Sequence, residues 1–245
     1  MNALTGSIRQ IRRSISKRGA IGTIGLVMSN SIDGIRNFSP ARRRALRFQK
    51  RIAEEFDVKY GVNTAANVPL GKLRIDSANA IYGVRYEPID RADFSGILSE
   101  LNLQFDQTTF VDFGSGKGRA ILLASALPFR KIVGVEFSQE LNSIAADNIA
   151  RYRGEQKCAD IEVMGMDAAR YVIPEAEPLV LYFFNPFERP VMAQVADNVV
   201  ASFEAHPRRI VVLYFTPKYA DVWDGIPFLK KKTAKTGLCV YDSNP

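Results

Sequence analysis

From residue 108 onwards the chain alternates short apolar runs with longer segments of helical pattern. The runs TTFVDF, KIVGVEF, IEVMGM, PLVLYFF and RRIVVLYF have the length of buried strands, and segments such as SQELNSIAADNIARYR lie between them. Strands that alternate with helices form a parallel sheet covered on both faces. Two final strands, near PFLKKKTA and GLCVYDS, have no helix between them and are predicted to pair antiparallel. We therefore predict an α/β fold with a doubly wound, mostly parallel, seven-stranded sheet.

The N-terminal part of the chain carries most of its positive charge. Residues 1–51 hold twelve Lys and Arg residues against one acid, Asp33, although the net charge of all 245 residues is +7. Isoleucines recur there at helical spacing, and a second helix is predicted to begin at Ser39-Pro40, with serine as N-cap and proline at its first position. We predict a basic helical extension over residues 1–57 and one domain over residues 58–245.

The charge asymmetry indicates an acidic partner for residues 1–51, and an anionic membrane surface, nucleic acid and another protein all fit. A loosely ordered tail and a cleaved transit peptide stay open as alternatives. No apolar run reaches the roughly 18 residues of a membrane-spanning helix. The two cysteines and one histidine lack the spacing of metal ligands. We expect no metal site, and a cytoplasmic protein that is at most peripheral to a membrane.

The stretch FVDFGSGKGR, residues 110–119, follows the first predicted strand with three glycines at alternate positions. In an open parallel sheet this loop lies where ligands bind, beside the N–H groups at the start of the next helix. Gly114 is predicted to make the tight turn, Gly116 to let the backbone approach a ligand, and Gly118 to open the helix. The spacing does not fit a phosphate-binding P-loop, and it fits a dinucleotide motif poorly.

Read with Asp112, this loop resembles the acidic-x-G-x-G-x-G motif of class I S-adenosylmethionine-dependent methyltransferases. The resemblance covers about residues 80–245; it is close to a bacterial subgroup and looser to Dot-type lysine methyltransferases. It implies a Rossmann-like methyltransferase fold with S-adenosyl-L-methionine as cofactor. The cofactor-binding residues that it implies in this segment are Asp112, Gly114, Ser115, Gly116 and Gly118.

Acidic residues also close the next two predicted strands. Glu136 lies about twenty residues after the loop, and a carboxylate there can accept both ribose hydroxyls. The resemblance implies that role for Glu136, and it implies that Asp167 and Ala168 lie at the adenine. Asp167 is equally suited to cap the short helix that follows, so both interpretations stay open.

Two further segments resemble parts of methyltransferase active sites. FFNPF, residues 183–187, is similar to the Asn/Asp-Pro-Pro-aromatic motif of amine-directed enzymes, which implies that Asn185 and Phe187 are catalytic and that Asn185 also meets the cofactor. The chain has one proline there instead of two, which disfavours the amino group of a nucleic-acid base. Upstream, YGVRYEPID resembles a segment that folds over the cofactor, which implies a cofactor contact for Tyr86 and a contact of Glu87 with a cationic substrate.

These patterns together predict a methyltransferase that acts on an amine nitrogen by in-line displacement, with protein lysine as a candidate acceptor. A small-molecule or nucleic-acid methyltransferase stays open as an alternative. So do a non-enzymatic protein that binds S-adenosylmethionine and, less favoured by the glycine spacing, a nicotinamide-dependent oxidoreductase.

Overall fold

The computed structural model describes residues 40–65, 91–235 and 237–243. Two predicted site residues, Tyr86 and Glu87, lie outside these residues, as does the predicted first helix. Contacts divide the chain into two units between Arg51 and Ile52. The predicted boundary between residues 57 and 58 falls inside a continuous helix.

Helices and strands alternate along the described chain. The helices are α1 (Pro40–Tyr60), α2 (Arg91–Glu100), α3 (Arg119–Ala124), α4 (Gln139–Arg151), α5 (Arg189–Ala205) and α6 (Ala220–Asp224), with short 3-10 helices at Phe105–Gln107 and Ala168–Arg170. The strands are β1 (Thr109–Phe113), β2 (Lys131–Glu136), β3 (Ile161–Gly165), β4 (Leu179–Phe184), β5 (Ile210–Phe215), β6 (Lys230–Lys235) and β7 (Leu238–Asp242).

The strands form a seven-stranded sheet in the order β3-β2-β1-β4-β5-β7-β6. Strands β1 to β5 are parallel, whereas β7 runs antiparallel to both β5 and β6. The predicted doubly wound, mostly parallel sheet with an antiparallel final pair is therefore confirmed. The strand order reverses at β1, which has β2 on one side and β4 on the other, so a crevice is expected at the carboxyl ends of these strands.

Each face of the sheet packs against its own apolar cluster. On β1, Phe113 belongs to one cluster and stacks on Phe183 of β4, with ring centroids 4.9 Å apart. Phe110 belongs to the other cluster and meets Phe94 of α2 edge-on. Neighbouring strand residues point to opposite faces, and burial on both faces explains why the strand sequences are almost continuously apolar.

Helix α1 begins at Pro40, as predicted, and its two phenylalanines differ in burial. Phe56 is 7% exposed and belongs to the core of the larger unit. Phe48, in the unit that ends at Arg51, is 55% exposed, and the Arg51 guanidinium lies 5.5 Å from its ring centroid. Within the described ranges, no helix is long and apolar enough to cross a membrane.

Candidate functional site

The three glycines of the loop after β1 all have left-handed backbone conformations. The φ angles of Gly114, Gly116 and Gly118 are 77°, 55° and 81°. The N–H groups of Gly114 and Ser115 both donate to the Val135 carbonyl, at 2.8 and 3.2 Å, which ties the turn to β2. Side chains other than glycine adopt such conformations at a cost, so the alternate glycines are required by the path of the backbone.

Gly114 is also constrained by the chain that follows β4. A Cβ atom built on Gly114 would lie 2.3 Å from the Cβ of Pro186, far inside van der Waals contact. The glycine loop and the end of β4 are therefore adjacent, as the register of Phe113 opposite Phe183 requires.

Glu136, at the end of β2, is buried directly beside the loop. Its Oε2 accepts from the Gly116 N–H at 2.9 Å, and its Oε1 accepts from the Ser138 N–H at 2.9 Å. Burial raises the pKa of Glu136 to about 7, although these backbone hydrogen bonds favour the ionised form. Each carboxylate oxygen has a second lone pair, so Glu136 can still accept two donors from a ligand.

Asp112 lies on β1, one residue before the end of the strand, and is also buried. Burial and, to a smaller extent, the negative charge of Glu136 raise its pKa well above the ordinary value. Two desolvated acids side by side favour a ligand that brings positive charge or hydrogen-bond donors, because either would stabilise the ionised carboxylates.

Asn185, directly after β4, has a left-handed backbone with φ of 41°, which asparagine tolerates better than most residues. Its N–H donates to the Phe215 carbonyl at 3.1 Å, which fixes it against the end of β5. Its side-chain Oδ1 is buried and has no hydrogen-bond partner among the described residues, and the same holds for Ser115 Oγ. Buried polar atoms are normally paired, so these two are candidates to meet a ligand.

Three other predicted residues have clear structural roles. The Asp167 side chain accepts from the Ala169 N–H at 3.0 Å, so it caps the 3-10 helix. Ala168 packs against the apolar cluster that contains Phe187. Phe187 is buried and meets Phe183 edge-on. Their proposed contacts with adenine or a target nitrogen stay predictions.

A polar cluster that the sequence analysis missed lies after β4 and β5. The Lys218 ammonium is 3.1 Å from both carboxylate oxygens of Glu188, and the Tyr219 hydroxyl donates to the same carboxylate. Glu188 lies three residues after Asn185, which places the cluster at the same edge of the sheet. In the part of the chain that the structure describes, no His, Cys, Asp and Glu side chains group as metal ligands.

Two basic residues, one between the loop glycines and one directly after them, are buried, although no sequence pattern predicted a role for them. Lys117 and Arg119 are each only 2% exposed. The Lys117 ammonium donates to Asn63 Oδ1 at 3.2 Å, and Arg119 Nη1 donates to Thr64 Oγ1 at 2.8 Å. The sequence carries no local signal for this burial, because lysine and arginine side chains are mostly exposed.

Several solved methyltransferase structures resemble the fold of this chain. A ribosomal protein L11 methylase from Lactobacillus delbrueckii subsp. bulgaricus is 12% identical, with a TM-score of 0.45, over 64% of this chain and 79% of that one. An RNA methyltransferase from Salinibacter ruber, in complex with S-adenosyl-L-homocysteine, is 18% identical, with a TM-score of 0.43, over 64% and 92%. A SAM-dependent methyltransferase from Aquifex aeolicus is 12% identical, with a TM-score of 0.46, over 61% and 88%. No protein-family model and no curated protein matches the sequence.

Proposed function

We propose that the chain is an S-adenosylmethionine-dependent methyltransferase that acts on an amine nitrogen. The observation that carries the proposal is the meeting of three features at one edge of the sheet. These are the left-handed glycine loop, the buried carboxylates of Asp112 and Glu136, and the unpartnered amide oxygen of Asn185. A loop of glycines without side chains, two carboxylates and an unpartnered amide oxygen suit a ligand that carries both hydroxyl groups and positive charge.

The residues present fit S-adenosylmethionine in kind. The free lone pairs of Glu136 can accept two adjacent ribose hydroxyls, and the desolvated carboxylate of Asp112 favours a cationic neighbour. Ser115 Oγ offers a further donor and acceptor. When bound, S-adenosylmethionine supplies a methyl group that its sulfonium charge has already activated. The protein's contribution is then to hold the acceptor in line with that methyl group and to exclude water.

Asn185 is the residue that we assign to the methyl acceptor. Its Oδ1 can accept a hydrogen bond from an amine N–H and so direct the nitrogen lone pair. An aliphatic amine such as lysine, with a free pKa of about 10.4, must first lose its proton, and desolvation at a buried site lowers that pKa. A buried acceptor site can lower the pKa of a lysine amine and accept its N–H, and for this reason protein lysine is the acceptor that we propose first.

The function is tested by incubating the protein with methyl-labelled S-adenosylmethionine and separated protein, nucleic-acid and small-molecule fractions. We expect label on lysine in the protein fraction. Label in another fraction would keep the methyltransferase and change the acceptor. Cofactor binding without transfer to any fraction would favour a non-enzymatic binding protein, and binding of NAD instead would favour an oxidoreductase.

Cofactor affinity should depend on pH through Glu136. Ribose hydroxyls donate to the ionised carboxylate. The pKa of Glu136 is about 7 in the ligand-free protein, so below that pH ligand binding must release a proton from Glu136. We expect S-adenosylhomocysteine to bind about tenfold more weakly at pH 6 than at pH 8, because the ionised fraction changes by about that factor. Isothermal titration calorimetry measures both affinities. In Glu136→Gln the binding should be weaker at pH 8 and this part of the pH dependence should vanish; an unchanged profile would remove Glu136 from the site.

The raised pKa of Glu136 also makes the stability of the folded protein depend on pH. The pKa of Glu136 is about 7 in the folded protein, against an ordinary value of 4.5. Its carboxyl therefore stabilises the folded protein most at pH values where it is protonated in both the folded and the unfolded protein. Its contribution is lost as pH rises from about 4.5 to 7, by up to about 3 kcal/mol. Urea unfolding of the wild type and of Glu136→Gln should therefore diverge over this pH window, with the variant gaining relative stability as pH rises.

We also propose that residues 1–51 dock on an anionic membrane surface. Over residues 40–51, helix α1 has no acidic residue, and its exposed side chains include Arg44, Arg47 and Phe48. Basic residues beside an exposed aromatic ring suit an anionic interface, where each base contributes about 1 kcal/mol.

Liposome co-sedimentation tests this docking with the full chain and with a chain that begins at Ile52. The shorter chain keeps Ala53, Phe56 and Asp57, which pack in the larger unit. We expect only the full chain to sediment with vesicles that contain anionic lipid. Failure of both chains to bind would contradict the proposal, and equal binding of both would assign the affinity elsewhere. Displacement by RNA at equal ionic strength would indicate nucleic acid as the partner.

A further inference from the structure

Buried side chains connect the glycine loop to residues 53–65. These residues form the end of α1 and the turn after it, and we call them the clamp segment. Arg119 directly follows Gly118 and is the first residue of α3. Its Nη1 donates to Thr64 Oγ1 at 2.8 Å and to the Ala53 carbonyl at 3.4 Å, and it lies 3.8 Å from Asp57 Oδ1. Its guanidinium carbon lies 4.0 Å from the centroid of the Phe56 ring. One buried guanidinium therefore contacts the clamp segment through two hydrogen bonds, an ion pair and an aromatic face.

Asp57 organises the clamp segment from within. Its two carboxylate oxygens accept from the Thr64 hydroxyl at 2.6 Å, the Thr64 N–H at 2.7 Å and the Ala65 N–H at 2.7 Å. Hydrogen bonds to an ionised acceptor are stronger than neutral ones. The turn after α1 is thus folded around the same carboxylate that pairs with Arg119.

Two more side chains join the clamp segment to the loop. The Lys117 ammonium donates to Asn63 Oδ1 at 3.2 Å. The Asn148 amide donates to the Lys117 carbonyl at 2.9 Å and to the Asn63 carbonyl at 3.2 Å, while its Oδ1 accepts from the Asn63 N–H at 2.8 Å. Asn148 therefore bridges the loop backbone and the clamp backbone directly.

A glycine loop needs such support, because glycine loses more conformational freedom on folding than any other residue. The Gly116 N–H must stay aligned with Glu136, and helix α3 behind the loop has only six residues. The contacts of Lys117, Arg119 and Asn148 hold the second half of the loop from the side of the clamp segment.

From these contacts we infer that Arg119 is a positioning residue for cofactor binding, which acts through the clamp segment on the glycine loop. For its ligand, the inference rests on the proposed function. Arg119 contacts Thr64, Asp57 and Phe56 of the clamp segment, so its effect on the ligand passes through the backbone of Gly116 and Gly118. The clamp segment then supports the cofactor site, although Thr64 lies 55 positions before Arg119 in the sequence.

Three variants test the inference. Arg119→Lys keeps the charge and loses the fork of donors; Arg119→Ala removes both; Asp57→Asn removes the carboxylate that Arg119 pairs with. Arg209→Lys is the matched control, because Arg209 is a partly buried arginine that pairs with Asp242 at 2.8 Å at the start of β5, the opposite edge of the sheet. Two quantities are measured under conditions where every variant is folded: affinity for S-adenosylhomocysteine by calorimetry, and amide hydrogen exchange of the peptide that spans residues 114–118.

We expect the Arg119 and Asp57 variants to bind about tenfold more weakly than the wild type and to exchange loop amides faster. Free guanidinium at a concentration well below its denaturing range should partly restore the affinity of Arg119→Ala. Arg209→Lys should lower the unfolding midpoint without either effect. Wild-type affinity and exchange in folded Arg119→Ala or Asp57→Asn would overturn the inference.

The exchange measurement separates this inference from the proposed function. If the wild type does not bind S-adenosylhomocysteine, the proposed cofactor is wrong, yet faster loop exchange in Arg119→Lys and not in Arg209→Lys would still support the coupling. If the wild type binds and the loop exchange of the Arg119 variants is unchanged, the cofactor stands and the coupling is wrong.

Discussion

We expect Asn185→Ala to lower the rate of methyl transfer by about a hundredfold to a thousandfold, a range typical for the loss of one preorganised hydrogen-bonding group at a reacting centre. Affinity for S-adenosylhomocysteine should stay within a few-fold, because the proposed partner of Asn185 Oδ1 is the acceptor. The buried Oδ1 has no other partner within the described ranges, so the substitution breaks no hydrogen bond of that atom. Label transfer under saturating cofactor measures the rate, and calorimetry measures the affinity.

The backbone of Asn185 calls for a second variant. With φ of 41°, alanine is strained there and glycine is not, so Asn185→Gly removes the amide without that strain. Asn102 provides the matched control, since it also has a left-handed backbone, with φ of 46°, and it is exposed. We expect Asn102→Ala to keep the wild-type rate. An intact rate with lost cofactor affinity in Asn185→Gly would make Asn185 a cofactor residue instead.

The order of strands and helices followed from the sequence because the buried elements have strong local patterns. All five residues of β1 are buried, which matches its mostly apolar sequence, TFVDF. Helix α6 was missed, because five residues are too few for a helical period to show. The different environments of Phe48 and Phe56 on one helix could not be predicted, since both fit the same apolar stripe and only tertiary contacts distinguish them.

The candidate site was predictable where one short segment contains the signal and not where distant segments meet. The glycine spacing predicted a tight turn at Gly114 and the start of a helix at Gly118, and in the structure Gly114 has a φ of 77° and a helix begins at Arg119. The partners of Arg119 were not predictable, because Thr64 lies 55 residues away and no local pattern links the two. Asp167 shows a third case: capping and ligand contact require the same side chain, and the structure shows the cap, while the ligand contact stays a prediction.

The glycine at position 114 should be the least replaceable residue of the loop for folding. Its φ of 77° strains any side chain, and a Cβ there would meet Pro186 Cβ at 2.3 Å, so either the loop or the turn after β4 must move. Adding the cost of a left-handed alanine to that of an overpacked contact, we expect Gly114→Ala to lose about 2–5 kcal/mol of unfolding free energy. Urea denaturation followed by circular dichroism measures this loss.

The control for Gly114→Ala is Gly96→Ala, because Gly96 lies in helix α2 and a Cβ there would meet no atom within 4 Å. That variant should gain up to about 1 kcal/mol from helix propensity. The clash at Gly114 is with the residue that follows Asn185, so a folded Gly114→Ala should also transfer methyl more slowly, even if its loop still binds S-adenosylhomocysteine. A Gly114→Ala protein as stable and as active as the wild type would mean that the loop and the turn after β4 do not touch as described.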